Sequence, residues 1–185
     1  MHTFLNRGIL KSERYKEKHL FHMRFSHYLE RVSSSQEFKK FNKENKQAYL
    51  CAGFFVFDFE EGKDIHQVDY FLPKQKKIAA FLLDKNLSYK IANAMNTTKP
   101  EEIKGEIKMD LDKLKGIVED EMKNHTITEG IMKMIAILQS NDGKKVWNLN
   151  CILSGMALLK VHVDDATGNI LKFEKASFLD FVRKI

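Results

Sequence analysis

The segment from residue 48 to residue 59 constrains the fold more than any other part of the sequence. It reads Ala-Tyr-Leu-Cys-Ala-Gly-Phe-Phe-Val-Phe-Asp-Phe, so it is nearly all apolar and rich in aromatic residues. A strand with one face in water alternates apolar and polar residues, whereas a strand buried on both faces does not. The segment therefore predicts a central strand that is covered on both faces.

Two further strands follow this segment. Residues 65–72 and residues 77–84 are apolar-rich stretches of strand length, each bounded by polar turn sequences. Short strands in succession, separated by turns, are typical of an antiparallel meander. Residues 87–94 fit either a short helix or part of a strand. Residues 97–102 predict a loop or the start of a short helical turn, and this polar stretch is the expected boundary between two halves of the chain.

Two helices are predicted ahead of the meander. Residues 12–32 have one apolar face at helical period, and Ser12 can accept a backbone N–H as the N-cap. The members of that face are Phe21, Phe25, Tyr28, Leu29 and Val32. The serines at 33–35 end this helix and cap a second one at about 35–46.

The second half repeats the order of helix and strands. Asp110 is the expected N-cap of a helix that runs to Asn124. Asn141-Asp142-Gly143-Lys144 is a hairpin signal, because Asn, Asp and Gly tolerate positive φ. The strands predicted around this turn are 131–139, 146–154, 157–164 and a short one at 170–173, and a final short helix is predicted at 177–185.

The stretch from Val146 to Ile170 resembles the closing half of a PepSY domain. Its last part, His162-Val163-Asp164-Asp165-Ala166-Thr167-Gly168-Asn169-Ile170, is similar to the phrase V-x-V-D-x-x-T-G-x-I that closes such units. With the preceding helix, the resemblance covers residues 110–173. It implies a cystatin-like unit, a helix followed by an antiparallel meander, with a binding or inhibitory role. The layout of the whole chain is also similar to that of small archaeal proteins, a likeness that implies no activity.

We therefore expect an α+β fold in which helices pack on an antiparallel sheet, with two cystatin-like α-β-β-β halves as one form of it. The expected units are an N-terminal basic helix at 1–34, a first half at 35–95, and a PepSY-like half with the C-terminal helix at 96–185. The halves are expected to form one compact unit. In the D-x-x-T-G phrase, Thr167 and Gly168 predict a turn between strands, since glycine readily takes positive φ.

Positive charge is concentrated at the N-terminal end. The net charge is +6, and residues 1–46 contain 11 Lys and Arg against 5 Asp and Glu, which accounts for the whole excess. Basic helices bind phosphates through release of counterions, so nucleic acid is a candidate partner. The expected contacts are Lys39, Lys40, Lys43 and Lys46. The alternative is a solvated, slightly basic surface.

Catalytic and metal motifs are absent from the sequence. Cys51 and Cys151 lie in apolar strands, where a thiol is inert, and they can form a disulfide only if their strands are neighbours. A Cys151–His162 pair across two strands is the one nucleophilic arrangement to consider. His19 and His22 are spaced like helical metal ligands, but no carboxylate completes a set. We expect no catalytic residues, no metal and no cofactor.

The leading hypothesis is a non-enzymatic binding module whose sheet or sheet edge receives a protein or peptide. The alternatives are a nucleic-acid-associated protein that uses its basic helices, and an enzyme with an unrecognised site. No signal-peptide-like stretch opens the sequence and no window reaches membrane-spanning length, so we expect a cytoplasmic protein without a membrane partner. The oligomeric state is left open.

Overall fold

The computed structural model describes residues 24–83, 85–94 and 99–177. The described helices are α1 (Phe25–Ser34), α2 (Gln36–Glu44) and α3 (Leu111–Asn124). The strands are β1 (Tyr49–Asp58), β2 (Ile65–Leu72), β3 (Lys77–Leu83), β4 (Leu87–Asn93), β5 (Ile131–Asn141), β6 (Lys144–Leu153), β7 (Ala157–Asp164) and β8 (Ile170–Ser177).

All eight strands form one antiparallel sheet in the order β4-β3-β2-β1-β5-β6-β7-β8. The fold is therefore α+β, and strand predominates over helix. Strand β1 lies at the centre, where it pairs with β2 on one side and β5 on the other. Two meanders, β1 to β4 and β5 to β8, run outward from this central pair. The predicted central position of the aromatic segment is thus confirmed.

The three described helices pack on one face of the sheet, which we call the covered face. Phe25 of α1 meets Trp147 of β6 edge to face, with ring centroids 6.1 Å apart. Gly53 of β1 makes this approach possible, because a Cβ atom there would lie 2.2 Å from Phe25 Cε2. Helix α3 buries Leu111, Leu114, Val118 and Met122 in the same core.

The opposite side of the sheet, which we call the open face, carries the residues that alternate with the core. The described helices cover only the other face of β1, so the predicted double cover does not come from the described part of the chain. The open-face residues in the middle strands include Ala52, Phe54, Val56, Gln67, Asp69, Phe71, Ile78, Ala80, Leu82, Ile135 and Ile137.

The N-terminal helix differs from its predicted extent. Arg24 has extended backbone angles (φ −75°, ψ 134°), so α1 begins at Phe25 and no helix continues through that position. Residues 1–23, which include the proposed cap Ser12, lie outside the described residues. The predicted cap of the second helix is confirmed, since the Ser35 side chain accepts a hydrogen bond from Phe38 N at 3.0 Å.

Strand β4 was ambiguous in the sequence and is paired along its whole length with β3. Each meander therefore has four strands, one more than an α-β-β-β half contains. Strand β8 extends the short strand predicted at 170–173, and Ser177 ends this strand instead of beginning a helix. Residues 178–185, where the rest of that helix was predicted, lie outside the described residues.

The segment from residue 99 to residue 109, which we call the linking segment, joins the first meander to α3 and is anchored along one end of the sheet. Ile103 N donates to Leu50 O at 2.9 Å, and the side chain of Ile103 is buried in the core. Glu101 accepts hydrogen bonds from Ser140 Oγ and from the backbone N–H groups of Asp142 and Gly143. The region predicted as a loop between halves is thus tied to the β5–β6 hairpin.

The hairpin itself has the predicted geometry, because Asp142 (φ 51°) and Gly143 (φ 73°) both take positive φ. Asp110 does occupy the N-cap position of α3, but its side chain makes no capping hydrogen bond. It lies 3.9 Å from Arg24 Nε instead.

Candidate functional site

The middle of the open face is apolar over four adjacent strands. We call this region the apolar field: Ile78, Ala80 and Leu82 of β3, Ala52, Phe54 and Val56 of β1, and Ile135 and Ile137 of β5, with β2 between β3 and β1. Val56 is buried and the others are half-buried. An open antiparallel face is normally lined with polar residues, so this concentration of aliphatic and aromatic side chains is unusual for a surface in water.

One carboxylate stands inside the apolar field. Asp69 of β2 is flanked in register by Ala52 of β1 and Ala80 of β3, the two smallest side chains of the field. Gln67 Nε2 donates to Asp69 Oδ1 at 2.7 Å, and Asp69 forms no ion pair with any described residue. Desolvation by burial raises the pKa of Asp69 from 3.8 to about 6, and the Gln67 hydrogen bond opposes this only in part.

From β6 outward the open face is mixed, because Val146 and Ile152 of β6 and Leu158 of β7 alternate there with polar side chains. Asn148 and Asn150 of β6 continue the rows of Ile137 and Ile135, and His162 of β7 pairs with Asn148. The pKa of His162 is lowered, first by desolvation and then by the charge of Lys172. The two parts of the open face thus differ in chemistry, because polar side chains interrupt the apolar ones from β6 outward.

The rim of the apolar field carries a carboxylate with a full set of partners. Asp58 accepts hydrogen bonds from the backbone N–H groups of Glu60 and Glu61 and forms an ion pair with Lys133 Nζ at 3.1 Å. The Glu61 N–H is the largest of the effects that lower the pKa of Asp58. The Asp58 carboxylate thus stabilises the turn that follows β1.

The D-x-x-T-G phrase forms a turn, as its structural interpretation predicted. Asp164 Oδ1 accepts from both the backbone N–H and the hydroxyl of Thr167, and Gly168 has φ +75°. Asp165 is fully buried, and its carboxylate accepts hydrogen bonds from three donors. These donors are Trp147 Nε1 at 3.0 Å, Lys108 N at 3.0 Å and Met109 N at 3.1 Å. The phrase joins the linking segment to the sheet.

A surface cavity of about 440 Å³ lies between the linking segment and the β5–β6 hairpin. Its charged lining is already used internally, since Glu101 binds the hairpin and Lys145 Nζ donates to the carbonyl groups of Lys104 and Glu106. The remaining lining residues include Tyr49, Lys99 and Glu102. These contacts indicate a structural role for the cavity walls.

The structure does not assemble the nucleophile considered from the sequence. Cys151 belongs to the core beneath the helices, whereas His162 lies on the open face, so the two side chains point to opposite sides of the sheet. Cys51 and Cys151 are free and buried, and β5 separates their strands, which excludes a disulfide. Burial raises the pKa of each thiol to about 12, so neither is a thiolate at neutral pH.

The four lysines predicted to contact nucleic acid lie on α2 and just after it. Lys39 and Lys43 lie one turn apart on α2, Lys40 lies beside them and Lys46 follows the helix. All four are exposed and form no ion pair with a described residue.

No group of three metal-ligating side chains occurs within the described ranges, and His19 and His22 fall outside them. None of the described helices has the length and apolar character that crossing a bilayer requires.

The sequence did not single out Asp69. The only sequence signal for Asp69 was its place among the alternating residues of a predicted strand. Its neighbours in space come from β1 and β3, and they are revealed only by the pairing of these strands with β2. The apolar character of residues 48–59 on both faces was the indirect signal, because it implies apolar neighbours on the open side of β2.

Comparison with known proteins identifies a similar fold. No family model matches the chain, and no curated protein matches its sequence. Among solved structures, the crystal structure of a "putative lipoprotein" from Clostridium difficile 630 matches with a TM-score of 0.53. The two chains are 14% identical, and the match covers 75% of this chain and 89% of the other. At this identity the likeness concerns the fold alone.

Proposed function

We propose that this chain is a non-enzymatic binding module whose open face receives the apolar surface of a protein partner. The observation that carries the proposal is the composition of β1, which is apolar on both faces although the described helices cover only one. Phe54 and Val56 therefore stand where a second layer would normally pack.

The size of the open face suits a protein surface. Eight strands spaced about 4.8 Å apart span roughly 34 Å, and strands of about eight residues are roughly 26 Å long. A standard protein interface buries about 800 Å² on each partner, which a face of these dimensions can provide. The apolar field lies near the middle, with polar residues of β6 and β7 to one side, like the apolar core and polar rim of many interfaces.

The resemblance to PepSY domains supports the same class of function. In that family the implied role is binding or inhibition, and the order of α3 followed by β5 to β8 fits a cystatin-like unit. We extend the proposal to the first meander, so that the sheet consists of two cystatin-like halves joined at the β1–β5 pair. The mirrored strand order supports this arrangement.

A display library of random peptides, selected against the immobilised chain, tests the binding function. The selected peptides are then measured against Ile137→Glu, which places a charge in the apolar field, and against Leu171→Glu, the same kind of exchange on β8 at a side chain that is 58% exposed. We expect Ile137→Glu to abolish binding and Leu171→Glu to preserve it. Binding that survives Ile137→Glu in a folded protein would contradict the proposal.

A second candidate function is nucleic-acid binding through α2. It is favoured by the exposure of Lys39, Lys40, Lys43 and Lys46 without an ion pair to a described residue. Fluorescence anisotropy with labelled DNA and RNA at rising salt tests it, because phosphate contacts weaken steeply with salt. Salt-sensitive binding that is lost when all four lysines become Glu supports this candidate, and absence of binding at low salt removes it.

A further inference from the structure

We propose that Asp69 binds a lysine or arginine side chain of the partner, so that the open face selects a surface with one cation among apolar residues. This inference rests on the proposed binding function and specifies the chemistry of the ligand. The proposed ligand is a protein segment, and its basic side chain must align with a single carboxylate on β2.

Asp69 is partly exposed on the open face, so a side chain of a partner can reach its carboxylate. Its cross-strand partners, Ala52 and Ala80, end at Cβ, while the longer side chains of Phe54, Ile78 and Leu82 stand around them. The register therefore places the carboxylate between two short side chains, with longer apolar side chains beyond them. The aliphatic stem of a lysine or arginine packs on such side chains while its charged end reaches the oxygen atoms.

The hydrogen bonds at Asp69 leave room for such a donor. An ionised carboxylate offers about four acceptor positions, and among the described residues Gln67 supplies one donor to Oδ1. Asp58 and Asp165, by contrast, have their carboxylates engaged by several donors each. Of these three carboxylates, Asp69 accepts the fewest hydrogen bonds from described residues, so it retains acceptor capacity.

Charge complementarity identifies the partner group. When an apolar surface covers the field, water is removed from Asp69, and a buried charge without a partner is strongly unfavourable. A cation on the incoming surface compensates that cost, whereas an acidic or purely apolar surface does not. The same carboxylate therefore rejects partners that lack a cation, which gives the face specificity.

Among the described residues, few charged or titratable groups face Asp69 from the neighbouring strands. Cys51 of β1 lies close enough to donate its thiol to the Asp69 carbonyl at 3.4 Å, and Lys90 of β4 lies in the same row beyond Ala80. Strand β3 contributes only apolar neighbours to this position. Protonation of Asp69 near pH 6 removes the negative charge, so binding of a cationic peptide should weaken as pH falls through that value.

The test uses a peptide from the display selection and its variant in which the basic residue is replaced by Gln. We expect selected peptides to be enriched in Lys or Arg flanked by apolar residues, and the Gln variant to bind about tenfold more weakly or worse, as for loss of a charge-assisted hydrogen bond. Asp69→Asn keeps the oxygen that Gln67 contacts and removes the charge, so it should bind both peptides alike.

The control is Asp120→Asn, which makes the same chemical change at an exposed residue on α3, on the other side of the sheet. It should preserve the tenfold preference and its pH dependence. If wild-type protein binds both peptides equally while Ile137→Glu still abolishes binding, the role of Asp69 is overturned and the binding function stands. A library that yields no peptide sensitive to Ile137→Glu overturns both.

Discussion

Two aspartates of this chain lie in opposite kinds of surroundings. Asp165, at the turn after β7, is fully buried and accepts hydrogen bonds from Trp147 Nε1, Lys108 N and Met109 N. Asp69, in the middle of the open face, is half-buried among apolar side chains and accepts one side-chain hydrogen bond from Gln67. The first carboxylate joins parts of the fold, whereas the second is costly to ionise, and we propose that it offers its charge to a partner.

The difference shows how to separate structural from functional carboxylates in one sheet. Burial alone does not decide the matter, because Asp165 is the more buried of the two. The number of donors decides it, since a carboxylate with several N–H partners is stabilised in its charged form. A carboxylate with few partners in an apolar setting is costly to keep, which suggests a role outside the isolated fold.

The largest effect is expected from removing the carboxylate of Asp165. Asp165→Ala leaves the buried Trp147 N–H and the part-buried backbone N–H groups of Lys108 and Met109 without their acceptor. Each unsatisfied buried donor costs about 1–3 kcal/mol, and water reaches the two part-buried donors more easily, so the variant should lose roughly 3–5 kcal/mol of unfolding free energy. Urea unfolding measures this loss, and a loss below about 1 kcal/mol would show that the linking segment is held by other contacts.

A smaller effect of opposite sign is expected at Asp69. The pKa of Asp69 is raised from 3.8 to about 6 in the folded protein. Ionisation of Asp69 therefore lowers the stability of the fold once the pH exceeds the pKa that this side chain has in the unfolded chain. Stability of the wild type should therefore fall as pH rises from about 4 to about 6, and Asp69→Asn should lack this fall. At pH 7 the variant should be more stable by about 1–3 kcal/mol.

Thermal and urea unfolding of wild type and Asp69→Asn at pH 4, 5, 6 and 7 measure this difference. Asp120→Asn is the control, because its exposed carboxylate is not expected to change stability by more than about 0.5 kcal/mol. If Asp69→Asn is less stable than the wild type at pH 7, Asp69 is a structural residue like Asp165.

The smallest effect concerns the turn that holds Asp165 in place. Gly168 has φ +75°, so Gly168→Ala should cost about 1–2 kcal/mol, the penalty for a left-handed residue with a side chain. Gly116 in α3 has open space at its Cβ position, so Gly116→Ala should instead gain about 0.5–1 kcal/mol. Equal signs for the two variants, measured by urea unfolding, would contradict this account of the turn.

Much of the fold could be predicted from local patterns. The aromatic run became the central strand β1, Ser35 caps α2, and the Asn-Asp-Gly turn joins β5 to β6, because each depends on residues close together in sequence. Strand β4 was ambiguous because edge strands are largely exposed and their sequences alternate weakly. The start of α1 was missed because an apolar face at helical period does not reveal where the helix begins.

The candidate site was harder to predict than the fold. The setting of Asp69 depends on the pairing of β2 with both β1 and β3, and its apolar field also includes β5, which is far away in sequence. Asp164 and Asp165 lie side by side in sequence, yet only Asp165 reaches Trp147 and the linking segment. Local sequence cannot distinguish such neighbours, since the difference is made by contacts across the fold.

The most direct test of the central claim is NMR titration of the Asp69 side-chain carboxyl carbon, alone and with a selected peptide that contains lysine. We expect a pKa of about 6 in the free protein and a fall in that pKa when the peptide is bound, because a nearby cation favours the carboxylate. An ordinary aspartate pKa in the free protein, or a pKa that the peptide leaves unchanged, would contradict the assignment of Asp69 as the recognition point of the open face.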